Sequence, residues 1–239
     1  MADEEALLKK GAYNLVKIRE YSSERVDQIS RAIYQYGGGK KIAECIERLR
    51  IREKLGCGNQ EIIVLSVGEL NKNKNHEAVI RAMPLMENQN IRYFIAGKGR
   101  LKNDLQKLAR KLGLEHRVHF MGFQKKIAEI YQCADIFVFP SKREGLGLAA
   151  LEAMASGLPL LTSNHHVIRD YSVDGETGYI FETESELADK MTLLAEDAVQ
   201  RTAMGLHNRT AVIGYGLAGV HERMKNIYEN LEKTNGKNR

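Results

Sequence analysis

From residue 60 onward the apolar positions fall into short continuous runs separated by stretches of helical period. Ile62-Ile63-Val64-Leu65-Ser66-Val67 reads as a buried strand, followed by a polar loop from Gly68 to Lys74 and a helix that Asn75 is placed to cap. Ile91-Arg92-Tyr93-Phe94-Ile95-Ala96 is a second strand, ending in Gly97-Lys98-Gly99 before a helix that stops at Gly113. Arg117 to Met121, Asp135 to Phe139 and Leu158 to Ser163 supply three more, each with a helix between it and its neighbour, and Tyr179-Ile180-Phe181 is a candidate edge strand. Near-continuous apolar strands alternating with helices predict an α/β fold, a parallel sheet covered by helices on both faces. Ligands of such sheets sit beyond the carboxyl ends of the strands. The loops at 68 to 74, 97 to 100, 122 to 124 and 140 to 147 all follow strands, so they are expected to converge on one rim.

The flanks are patterned differently. Residues 1 to 55 read as helical, with no convincing strand before residue 60 and a break at Gly37-Gly38-Gly39, where glycine allows a hinge or tight turn. A helix from about Lys40 to Leu55 stops at Gly56. After Glu182 the chain is helical again, near 184 to 196, 197 to 210 and 216 to 233, and Thr234 to Arg239 is expected to fray. Three parts follow: 1 to 55, a central domain over 56 to 215, and a C-terminal helix and tail over 216 to 239.

At 239 residues with 43% hydrophobic content the chain has enough material for a sizeable core. Cys45, Cys57 and Cys133 are odd in number and lack C-x-x-C spacing, which points to reduced thiols in a cytosolic setting and away from a disulfide framework or zinc site. No metal is expected. The N-terminus is acidic, and no apolar run approaches the roughly 18 residues of a membrane span. A net charge of +5 suits an anionic ligand or membrane surface without requiring nucleic acid, and no nucleic-acid partner is expected. The basic cluster Lys98, Arg100, Lys102, Lys107, Arg110 and Lys111 falls on a predicted amphipathic helix, either a solvated outer face or a surface for membrane apposition.

One stretch concentrates candidate chemistry. Arg143-Glu144-Gly145-Leu146-Gly147-Leu148 follows a strand, turns on two glycines and enters a helix that closes at Gly157. Such a turn aims free backbone N–H groups beyond the strand end, an anion site in outline. Glu144 lies in the turn and Glu152, eight positions on, within the helix. Carboxylates accept hydrogen bonds from hydroxyls, so two of them with amide donors between match a ligand such as a nucleoside diphosphate sugar. Alternatively both are solvated surface residues. His165-His166 is structural, solvated or in contact with ligand; Cys133 is a buried small apolar residue; Phe123 packs against a nucleobase or into the core.

The segment Pro140 to Pro159, with Glu144 and Glu152 eight apart, resembles the E-x7-E motif of family 4 glycosyltransferases of the GT-B fold. Val67-Gly68-Glu69-Leu70-Asn71-Lys72-Asn73-Lys74-Asn75-His76, Ala96-Gly97-Lys98-Gly99 and Asp174-Gly175-Glu176-Thr177-Gly178-Tyr179 resemble that family's other donor-side loops in the same order, over about residues 60 to 185. The nearest likeness is to bacterial capsule and exopolysaccharide transferases. The resemblance implies a Rossmann-like donor-binding half of a GT-B enzyme, with extra N- and C-terminal helices.

By that resemblance Glu144 contacts the donor hexose, Glu152 binds the ribose hydroxyls, and the amides of Gly145, Leu146, Gly147 and Leu148 hold sugar and phosphates. Lys74 neutralises the diphosphate, Gly68, Gly97 and Phe123 belong to the donor pocket, and Lys98 serves the phosphate or only its turn. The implied reaction is hexose transfer from a nucleotide sugar, with retention and without a cofactor, to a polysaccharide or lipid-linked acceptor at the cytoplasmic face of a membrane. Glu69 stands where many relatives carry Arg, and it would repel phosphate if it pointed inward. Residues 1 to 55 are too few for the family's acceptor-binding domain. The resemblance therefore implies a truncated enzyme, with a donor-binding subunit that needs a separate acceptor chain, or a nucleotide-sugar epimerase or hydrolase, as alternatives.

Overall fold

The computed structural model describes residues 39–164, 169–222 and 224–226, with side chains from residue 47 onward. The chain divides into two units, Met1–Asn59 and Gln60–Arg239. In the first, helix α1 (Gly39–Lys54) ends at Gly56, which takes a φ of 69°. The Gly56 amide donates to the Glu53 carbonyl at 2.9 Å and the Cys57 amide to Arg52 at 2.9 Å, so the last turn closes as the glycine predicts. Residues 1 to 38, including Gly37-Gly38, the Cys45 side chain, His165-His166 and the tail from 227 lie outside the described residues.

The second unit holds six parallel strands: β1 (Ile62–Val67), β2 (Ile91–Ala96), β3 (Val118–Gly122), β4 (Ile136–Phe139), β5 (Leu160–Ser163) and β6 (Gly178–Phe181). Between them run α2 (His76–Ala82), α3 (Lys102–Lys111), α4 (Ile127–Cys133) and α5 (Leu148–Ala155). Helices α6 (Glu184–Glu196) and α7 (Ala198–Ala211) follow, and residues 217–222 and 224–226 are again helical. The predicted first and second strands are reproduced to the residue. The next three begin one or two positions later than their apolar runs suggest. Arg117 and Asp135 are polar entry residues, the Asp135 carboxylate accepting the Ile63 amide at 2.8 Å, and Leu158 still belongs to the closure of α5.

The sheet order is β3-β2-β1-β4-β5-β6. The chain leaves β1 in one direction across the sheet and returns to β4 on its other side, so the switch point lies between β1 and β4. Alternate residues of each strand serve opposite faces. Val64, Tyr93, Ile95, Ile136 and Val138 join Val79, Ile80, Leu105, Leu187 and Met191 in one core cluster with α2, α3 and α6. On the other side Tyr131 of α4 packs against Phe137, ring centroids 5.7 Å apart, and Phe137 against Phe139 at 6.0 Å. The basic residues of α3 are exposed while Leu105 and Ala109 are buried, as an amphipathic helix requires and as both a solvated face and a membrane-facing one would show.

One expected cap is absent. Asn75 occupies the position before α2 but its backbone is left-handed, φ 50°, and its side chain makes no capping hydrogen bond. An N-cap side chain reaches back to the first amides from the extended region, so this backbone aims Asn75 elsewhere.

Candidate functional site

The loops that leave β1, β2, β3 and β4 form one rim and are bonded to one another. The Gly97 amide donates to Gly122 at 2.8 Å, the Leu70 amide to Lys98 at 3.0 Å, and the Leu101 amide to the Leu70 carbonyl at 3.1 Å. This zip needs glycine: a Cβ on Gly97 would lie 1.8 Å from the Gly68 carbonyl oxygen, and one on Gly99 2.4 Å from that of Leu70. Across the switch point the Lys142 amide donates to the Asn73 carbonyl, and Asn73 Nδ2 to the Arg143 carbonyl, both at 2.8 Å.

The turn after β4 is held from below. Gly147 adopts φ 69°, and a Cβ there would meet the Tyr171 hydroxyl at 2.3 Å and the Phe139 ring at 3.2 Å. Tyr171 Oη donates to the Leu146 carbonyl at 3.0 Å, which turns that carbonyl inward. Burial, and then the negative charge of Glu144, push the Tyr171 pKa up, so the hydroxyl keeps its proton. The amides of Gly145, Leu146, Gly147, Leu148 and Ala149 donate to no group among the described residues, whereas the next two, of Ala150 and Leu151, bond the Gly147 carbonyl. Unpaired amides at the positive end of α5 form an anion-binding surface. Helix α5 closes with the Gly157 amide on Met154 at 2.9 Å and the Leu158 amide on Ala153 at 3.0 Å, as expected of a C-terminal glycine.

The structure brings Glu144 and Lys74 together. Lys74 Nζ lies 2.5 Å from Glu144 Oε1, with the two side chains 22% and 11% exposed, so the pair is only partly open to water. The ammonium is also 5.2 Å from the centroid of the Phe139 ring. Gly68 serves this lysine directly, because a Cβ there would crowd Lys74 Cδ and Cε at 3.3 Å. Glu69 is exposed and its Oε2 accepts from Asn71 Nδ2 at 2.9 Å, so its carboxylate is engaged within its own loop. Beneath this loop a buried chain of polar groups links three strands to α2. His76 Nδ1 is 3.1 Å from Tyr93 Oη, which donates to Ser66 Oγ at 2.9 Å, and Ser66 donates to the Val138 carbonyl at 2.7 Å. Burial lowers the His76 pKa to about 4, against a smaller upward pull from a backbone group of Glu69, so the imidazole is neutral.

Glu152 sits on α5 and is exposed, but its Oε2 accepts a hydrogen bond from Tyr131 Oη at 2.9 Å. The same hydroxyl is 3.0 Å from the Ala149 carbonyl. Phe123 is 66% exposed at the end of β3, which removes the core role and leaves it free to meet a ligand; Leu146 and Leu148 are also exposed, at 52% and 65%. Lys98 is exposed between its glycines. Cys133 is buried, its Sγ donating to the Ile130 carbonyl at 3.1 Å. A polar cavity of about 560 Å3 opens beside the turn, lined by Asn75, Arg81, Lys142, Ser163, Glu182 and Glu184 among others.

Sequence reasoning missed the supporting side chains Tyr131, Tyr171, His76 and Asn73. Only Asn73 carried a visible signal, the asparagine-rich loop itself. The two tyrosines, one between Ile130 and Gln132 and the other between Asp170 and Ser172, belong to no motif, and a lone aromatic residue reads as core.

Six parallel strands in this order, with an acidic, glycine-built turn leading into a helix at the switch-point rim, have the fold of the Rossmann-like half of GT-B glycosyltransferases. The chain belongs to the family described as glycosyl transferases group 1, whose profile matches residues 47–210. It is 33% identical over 187 residues to EpsD of Bacillus subtilis (strain 168), an alignment covering 77% of this chain and 49% of EpsD. Among solved structures it resembles Alr3699/HepE of Anabaena in complex with UDP and glucose, with a TM-score of 0.69 at 21% identity, covering 78% of this chain and 52% of that one. It also resembles the C-terminal domain of a group 1 glycosyl transferase, LpcC of Francisella tularensis, with a TM-score of 0.64 at 24% identity, covering 71% of this chain and 93% of that domain. The chain thus spans about half the length of EpsD. Among the described residues no helix is long and apolar enough to cross a membrane.

Proposed function

We propose that this chain binds a nucleoside diphosphate sugar on the rim at Glu144 and acts in hexose transfer to a hydroxyl acceptor with retention at the anomeric carbon. The observation that carries this reading is the run of five unpaired amides, Gly145 to Ala149, bounded by Glu144 on Lys74 at one end and Glu152 on Tyr131 at the other. Amides and helix N-terminus suit the diphosphate, Glu152 the ribose diol, and Glu144 the hexose hydroxyls near the reacting carbon. Exposed Phe123 offers a stacking surface for the base.

In the reaction the bond from the anomeric carbon to the diphosphate oxygen breaks, the acceptor oxygen bonds to that carbon from the same face, and the acceptor hydroxyl proton passes to the departing diphosphate oxygen. Negative charge grows on the departing phosphate, and Lys74 with the α5 amides is the positive field that meets it. The diphosphate then competes with Glu144 for the Lys74 ammonium, so donor binding loosens the pair. Glu69, engaged with Asn71, leaves that field intact. The acceptor, a surface polysaccharide or lipid-linked glycan, is met by polypeptide beyond this donor half, in the same protein or a partner chain. A cytoplasmic setting agrees with the buried cysteines Cys57 and Cys133, which form no disulfide, and peripheral contact with the membrane belongs to the same proposal.

Calorimetry with UDP and GDP tests the reading. One of the two is expected to bind, and Glu152→Ala to weaken it about tenfold or more, the scale of a lost hydrogen bond to a charged group. Binding of neither nucleotide by the wild-type chain overturns the proposal, and unchanged affinity in the variant overturns the ribose assignment.

A further inference from the structure

We infer that Tyr131 is a positioning residue that fixes the Glu152 carboxylate for the ribose diol and thereby sets discrimination between ribo- and deoxynucleotides; the inference rests on the donor reading above. Tyr131 comes from α4, 21 residues before Glu152, and is only 2% exposed, so its ring has no freedom to follow a mobile partner. Its single hydroxyl proton faces two acceptors, Glu152 Oε2 at 2.9 Å and the Ala149 carbonyl at 3.0 Å. The carboxylate is the stronger acceptor, because a charge-assisted bond exceeds a neutral one. Burial, followed by the charge of Glu152 and the bond to it, pushes the Tyr131 pKa up, so the group donates across the ordinary pH range.

An exposed glutamate without an anchor samples many rotamers, and binding must then order it. Here one oxygen is already held by a buried donor while Oε1 has no partner among the described residues. That leaves one acceptor presented at the rim in a fixed direction. Two ribose hydroxyls can share it with Oε2, whereas a deoxyribose offers one fewer donor. The anchor therefore acts on selectivity for the sugar of the nucleotide, in addition to affinity.

A purely structural Tyr131, tying α4 to α5 through the Ala149 carbonyl, would change fold stability without changing that selectivity. Tyr131→Phe keeps the ring and removes only the hydroxyl. Using UDP and 2′-deoxy-UDP as probes (or the guanosine pair, if the wild-type chain prefers GDP), the variant is expected to lose about fivefold in affinity for the ribonucleotide and little for the deoxynucleotide. The ratio of the two dissociation constants then falls toward one. In a Glu152→Ala background the same Tyr131→Phe change is expected to add nothing, since the group it positions is gone. An unchanged ratio in Tyr131→Phe, an equal loss for both nucleotides, or a persistent effect in the Glu152→Ala background each overturns the inference while leaving donor binding intact. Failure of the wild-type chain to bind any nucleoside diphosphate would instead sink the donor reading beneath it.

Discussion

The two ends of the turn after β4 are held in different ways. At one end Glu144 is a mostly buried carboxylate on a cation from another loop, 70 residues away in sequence, and the pair has partial access to water. At the other, Glu152 is exposed while its anchor, the neutral hydroxyl of Tyr131, is buried. A charged partner can be drawn away by a competing anion; a buried neutral donor has no competitor of that kind. The difference matches the tasks proposed for them: the Glu144 end must respond as charge moves during transfer, and the Glu152 end must hold a nucleoside still.

The largest expected effect comes from breaking the element that joins the two ends. Gly147→Ala places a Cβ on the Tyr171 hydroxyl at a left-handed position, and we expect a loss of about 4 kcal/mol in stability with nucleotide binding abolished. Chemical denaturation and calorimetry read both; a normal unfolding midpoint would show that the turn tolerates a side chain. Next, Lys74→Ala separates the ends. Transfer is expected to fall about a hundredfold, the scale of removing one preorganised donor to developing charge, while affinity for the nucleoside monophosphate is unchanged. Equal losses in both measurements would mean that the two ends are one unit.

The smallest effect lies under the Glu144 end alone. The folded state holds His76 near a pKa of 4, below the ordinary 6.5, so the neutral imidazole is the form that folding favours. Above pH 6.5 neither state binds the proton and the stability is fully present. Below it the unfolded chain takes up a proton that the folded chain refuses until about pH 4, so acid removes stability across that window. Between pH 6.5 and 5 this amounts to about 2 kcal/mol from His76 alone. Denaturant titrations at the two pH values should show that much less acid sensitivity in His76→Gln, and identical pH dependence in both proteins would remove His76 from the account.

Much of this was legible from the amino-acid order. The central strands β1 and β2 announce themselves because both faces are covered and nearly every residue is apolar. The glycines of the rim, the two glutamates and Lys74 are visible because polar and flexible residues after an apolar run have few other reasons to be there. Asn75 misled because its residue type suits a cap while its backbone does not, and backbone conformation at a single non-glycine position leaves no mark in composition. Tyr131 and Tyr171 were hidden because their rings are core and only their oxygens serve the site. A buried aromatic with one useful atom looks the same in sequence as one with none.

The two bonds that cross from the β1 loop to the β4 loop, Lys142 to Asn73 and Asn73 to Arg143, have a mechanical meaning. They couple Lys74 and Glu144 as a yoke couples two animals: the loops share one displacement, so a ligand that pulls on the turn also pulls the lysine. A reporter group on either loop would then register the movement of both.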